Sequence, residues 1–152
     1  MANTAVTLPD ARKSVLSNQE RAQGFTHKFK VLYTDVDEGG GSSDTVTVTL
    51  GNTPTNFIIT KTVVNVSTAF AGTGGLAIEV GTDGDPNNFL SSTTVLTAGP
   101  INTGFSSQTG SYAAASDVLS AVFTNSSSGS PSALSAGELD IYLAMHDVND
   151  LG

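Results

Sequence analysis

The chain has 152 residues, enough for one domain with its own core, and no Cys, which excludes disulfides and thiolate metal sites. A formal net charge of −8 argues against general nucleic-acid binding, which needs a positive footprint to displace counterions. No apolar run approaches the roughly 18 residues of a membrane span, and the opening Met1-Ala2-Asn3-Thr4-Ala5 lacks the basic-then-apolar pattern of a secretory signal.

The charge is laid out unevenly. All six Lys and Arg residues lie at or before position 61, and the 91 residues that follow hold eight carboxylates and no basic side chain. Residues 1–24 read as an N-terminal arm, extended or short-helical. Leu8-Pro9-Asp10 opens a short helix, because Pro suits a first turn and Asp complements the helix dipole there. Val15 and Leu16 are its only large apolar residues, too thin a stripe to bury a helix, and Gly24 stops it. Such a segment is either a loosely ordered tail or an arm that orders on a neighbouring subunit.

Residues 25–152 read as one all-β domain of about eight strands. The first strand runs from Phe25 to Val36, with Phe25, Phe29, Val31 and Tyr33 on one parity. Asp37 to Ser43 is a glycine-rich turn. Asp44 to Leu50 alternates Val46, Val48 and Leu50 against Thr45, Thr47 and Thr49, the pattern of a half-buried antiparallel strand. After the turn at Gly51 to Pro54, Phe57 to Phe70 is a long strand, with Phe57-Ile58-Ile59 and Val63-Val64 buried on both faces and a bulge or bend between them. Leu76 to Val80 is a short strand, Asp83 to Asn88 a polar loop, and Thr93 to Leu96 another short strand. Residues 99–116 read as a long loop. Val118 to Phe123 and Glu138 to His146 complete the set, the last with Leu139, Ile141, Leu143 and Met145 inward and Glu138 and Asp140 on a solvated face. Many short strands at regular spacing predict an antiparallel β-sandwich or jelly roll.

Few patterns carry chemistry. Gly72-Thr73-Gly74-Gly75-Leu76-Ala77 matches G-x-G-x-x-A in form, but strand continues after it where a dinucleotide motif needs a helix. Asp83, Asp85 and Asn87 have the spacing that opens a calcium loop, yet its twelfth position is Thr94 rather than a bidentate carboxylate. His27 and His146 are the only histidines, too few for a zinc site without distant carboxylates. No nucleophile elbow is present, and no cofactor or metal is expected.

Several short words resemble a group of small virion proteins of tailed bacteriophages. They are Ser67-Thr68-Ala69-Phe70-Ala71-Gly72, Gly74-Gly75-Leu76, Val80-Gly81-Thr82, and Leu134 through Tyr142. Thr45 to Leu50 and Asn56 to Ile59 sit where that group has its early strands, so the resemblance spans roughly residues 28–145. It implies a capsid decoration (cement) protein with a jelly-roll-like fold, often trimeric. Such a protein is made in the host cytoplasm, is seated on the outer surface of the head, binds the major capsid protein and catalyses nothing. The first 25 residues fall outside the resemblance. Residues 1–30 carry five basic side chains against Asp10 and Glu20, which suits contact with an acidic partner. Arg12, Lys13, Val15, Leu16, Arg21, Lys28 and Lys30 are therefore the candidate contacts to capsid or neighbouring subunit. The alternatives are another head–tail component, or a carbohydrate-binding sandwich of a tail fibre or adhesin using Phe89, Phe105 and Tyr112 on loops.

Overall fold

The computed structural model describes residues 3–9, 12–13, 15–37, 45–101, 111–113, 116–126 and 131–147. The turn residues Gly39 to Ser43 and the loop aromatic Phe105 lie outside them. Ten strands form two sheets packed on one core. The first sheet has the order β1-β3-β9-β5-β6, built from β1 (Asn3–Thr7), β3 (Thr45–Asn52), β9 (Val118–Asn125), β5 (Leu76–Thr82) and β6 (Asp85–Thr94). The second has the order β2-β10-β4-β7, built from β2 (His27–Leu32), β10 (Ala136–Asp147), β4 (Phe57–Ala71) and β7 (Gly99–Ile101), with β8 (Ser111–Ala113) also pairing β4.

This order is that of a jelly roll. Counting β7 and β8 as one interrupted strand, the eight strands after β1 split into two four-stranded sheets, as two nested Greek keys require. The strand β1 is an addition, and it runs parallel to β3. The all-β sandwich expected from strand spacing is thus the fold.

Alternation explains the strands it predicts. Val46, Val48 and Leu50 of β3 are buried, as are Leu139, Ile141, Leu143 and Met145 of β10. They meet Leu119, Ala121 and Phe123 of β9 and Val64 and Val66 of β4 in one cluster. The bend expected between Ile59 and Val63 of β4 appears as a register shift at Thr60, and a second shift lies at Ser67, each residue without a partner in the ladder to β10.

Four expectations are corrected. The first strand stops at Leu32, and α2 (Tyr33–Asp37) follows. The cause is Asp35, whose carboxylate accepts the Leu32 N–H at 2.9 Å and turns the chain. The helix expected from Pro9 begins instead at Asn18 as α1 (Asn18–Ala22), because Ser17 and Glu20 form a reciprocal capping box there. Asp83 to Asn88 is not a loop. Asp83-Gly84 is a two-residue turn, Thr82 pairs with Asp85, and β6 continues to Thr94, absorbing much of the short strand expected from Thr93. Asp-Gly between strands is itself a hairpin signal, and Pro86 is tolerated because β6 is an edge. Finally, the long loop at 99–116 contains β7 and β8.

One glycine is demanded by packing. Gly137 sits at the register shift between Ala136 and Glu138, at φ 146°, with the Phe70 ring against its backbone. A Cβ there would lie 2.4 Å from that ring, which also packs on Phe123 at 5.9 Å. Overpacking and backbone strain each cost roughly 1–3 kcal/mol. Gly137→Ala is expected to destabilise the fold by about 2–4 kcal/mol, read from urea unfolding midpoints at unchanged slope.

Candidate interaction surface

The N-terminal segment was the candidate contact, so its path decides which of its side chains face outward. It is built into the body, not appended to it. Strand β1 pairs with β3 from Asn3↔Thr45 to Thr7↔Thr49. Leu8 then enters the core at 2% exposure, with its N–H on the Thr49 carbonyl at 2.8 Å. From there the chain crosses to the other sheet, where Lys13 makes an antiparallel bridge to Phe29 of β2. The reading of residues 1–24 as a loose tail gives way to this arrangement, because β1 and Leu8 cover one edge of the sandwich.

Arg12 anchors the crossing. Its Nε lies 3.1 Å from Oδ2 of Asp35, a buried carboxylate that otherwise accepts the Leu32 N–H. The segment then lies across the outer face of the second sheet. Glu20 is its knot: Oε2 accepts the Ser17 N–H at 2.8 Å, and Oε1 accepts Lys28 Nζ at 3.1 Å and the Tyr142 hydroxyl at 3.2 Å. Beside it the buried Phe25 ring packs on Tyr142 at 5.3 Å. Lys61 places its ammonium 5.0 Å over the Phe25 ring and donates to the Gln23 carbonyl at 2.9 Å. Gly24, at φ 91°, turns the chain between α1 and Phe25.

The next rank of side chains holds a second knot. Lys30 Nζ lies 2.7 Å from Glu138 and 3.4 Å from Asp140. Asp140 is buried, which corrects the solvated face expected for it: the flanking strands and Lys30 cover that position. The Ser17 N–H, and after it Lys28, hold the Glu20 carboxyl below the usual glutamate range. Lys30 does the same for Glu138, and Glu138 in turn raises Lys30. Burial works against the Lys28 ammonium, but Glu20 and Tyr142 outweigh it and its pKa is raised.

The candidate contacts therefore separate into two groups. Arg12, Lys28 and Lys30 are turned inward onto carboxylates of their own chain. Lys13, Val15 and Arg21 are exposed, and Leu16 is half-buried. Val15 stands out at 82% exposure, the one large hydrophobic so exposed among the described residues.

The other candidates are placed as follows. Phe89, expected on a loop, is wholly buried and meets Phe57 edge-on at 6.2 Å, so it offers no face to a sugar. The side chain of Tyr112 lies outside the described residues. Asp83 sits in the hairpin turn, with Asp85 and Asn87 on β6, and no group of three His, Asp or Glu among the described residues is gathered as for a metal ion. Gly72 to Gly75 leads from β4 directly into β5, as expected for a strand connection.

No protein-family model and no curated protein sequence matches the chain. Among solved structures, the chain is similar to Aeromonas hydrophila PliG, a periplasmic lysozyme inhibitor of g-type lysozyme. The identity is 12% and the TM-score 0.36, over 95% of this chain and 100% of that one. At that TM-score the likeness supports no conclusion.

The two groups of cations should separate in a stability measurement. Arg12→Ala leaves a buried carboxylate short of its charged partner and is expected to cost roughly 1–3 kcal/mol in urea unfolding, whereas Arg21→Ala should stay within about 0.5 kcal/mol. Acid supplies a second check. Glu20 and Glu138 have lowered folded pKa values, so their stabilisation is complete above the unfolded glutamate pKa and disappears as pH falls through the folded values. Stability should fall below about pH 4, and Glu20→Gln should flatten that dependence, measured as unfolding free energy against pH.

Proposed function

We propose that this chain is a structural protein of a tailed-bacteriophage virion, a decoration protein that binds the outside of the head shell, bridges major capsid protein subunits and catalyses nothing. The observation that carries the reading is Val15, an exposed apolar side chain on a segment held by its own capping box and ion pairs. A pre-ordered segment loses little conformational freedom on docking, so an apolar contact there yields more net affinity than the same contact from a loose tail. Arg21 on α1 is an exposed cation of the same segment and suits an acidic shell surface. The phage-protein words along residues 28–145 supply the capsid context, and a homotrimer is the assembly they imply.

Because β1 and Leu8 belong to the fold, deleting the segment would damage the body, and point variants test the idea better. Purified head shells lacking the protein should bind the wild-type chain saturably in co-sedimentation. Val15→Asp with Arg21→Glu should weaken that binding at least about tenfold while far-ultraviolet circular dichroism stays the same. Equal binding by the variant removes the segment as the contact, and shells that do not bind the wild-type chain at all overturn the capsid reading.

A further inference from the structure

We propose that a cleft at the α2 end of the second sheet's outer face is a binding site for a neutral saccharide. The cleft measures about 350 Å³, in the lower range of small-molecule sites. Tyr33, Thr34, Thr68, Ser135 and Glu138 line it, from α2, β4, the residue before β10 and the start of β10.

Each of these groups suits one part of a pyranose. An aromatic side chain covers the apolar C–H face of a sugar ring, and Tyr33 is half-exposed at the cleft wall. Thr34, Thr68 and Ser135 are exposed hydroxyls that both donate and accept. A carboxylate accepts sugar hydroxyls in charge-assisted bonds, and Glu138 provides one.

The charge balance selects a neutral ligand. Lys30 is already engaged by Glu138 at 2.7 Å and Asp140 at 3.4 Å, so the nearest cation has no spare attraction for a phosphate or carboxylate. An incoming ammonium would meet a carboxylate that Lys30 already compensates, beside the Lys30 charge itself. A polyhydroxyl ring avoids both problems.

Tyr33 is legible only in the fold. In the alternation from Phe25 it shares the parity of core residues, and it still packs against the core cluster, but because Asp35 ends the strand at Leu32 it also lines the cleft from α2. The site uses none of Val15, Leu16 or Arg21 and is independent of the capsid reading.

The test is a titration of the isotope-labelled full chain with D-glucose, D-galactose, D-mannose and N-acetyl-D-glucosamine, followed by amide chemical shifts. At least one sugar should give saturating shifts at residues 32–34, 68 and 135–138. Tyr33→Ala should weaken that sugar about tenfold, and Tyr33→Phe should keep it. Thr68 is exposed, so Thr68→Trp can fill the cleft without disturbing the core, and it should abolish the saturating shifts while the rest of the spectrum is unchanged. No saturating shift with any of the four sugars overturns the proposal, as does binding that survives Thr68→Trp.

Discussion

Strand β10 is drawn from the last residues described, yet it occupies an interior position in its sheet, with β2 on one side and β4 on the other. Until it is in place, β2 and β4 have no partner between them and half of the core has no wall. Its register then sets every neighbour on the outer face. Tyr142 falls beside Lys28, and Asp140 beside Lys30. A slip of one residue would turn Leu139, Ile141 and Leu143 to solvent and Asp140 and Tyr142 to the core. The apolar face is thus what holds the polar ranks in position, and pairing across the whole length of the chain makes for slow, non-local folding.

The division between a basic front section and an acidic remainder takes on a different meaning in the folded chain. It reads at first as a charged arm awaiting an acidic partner. In the structure much of that positive charge is neutralised at home. Arg12 meets Asp35, Lys28 meets Glu20, and Lys30 meets Glu138 and Asp140 from far along the chain. The partly exposed Lys28–Glu20 and Lys30–Glu138 pairs each contribute only a few tenths to about 1 kcal/mol. Together with the Phe25–Tyr142 contact they set where the segment lies, which matters more here than the energy of any one pair. Of the candidate contacts, Val15 and Arg21 remain outward.

The same segment also resolves an edge problem. An open sandwich presents strand edges that invite unwanted pairing. Here β1 covers the edge of β3, and Lys13 bridges to β2 at the edge of the other sheet. The opposite edge of the first sheet is β6, which carries Pro86 and begins at a tight Asp83-Gly84 turn. The cleft beside Tyr33 opens on the same outer face of the second sheet that the segment crosses.

The sequence by itself determined the all-β class, the inward faces of β3 and β10, and a bulge in β4. These depend on period-two alternation, which is local and follows directly from strand geometry. It also marked Val15, Leu16 and Gly24 as features of a segment with little to bury. Only the tertiary structure decided where the first strand ends, because the Asp35 carboxylate that stops it is held by Arg12, 23 positions away. Only the tertiary structure buried Phe89, since its hairpin neighbours and Phe57 come from separate strands. The fate of the cations was decided in the same way. Lys28 faces inward because α1 folds back over β2 and brings Glu20 within reach, and Lys30 because register sets β10 beside β2, with Glu138 108 positions away.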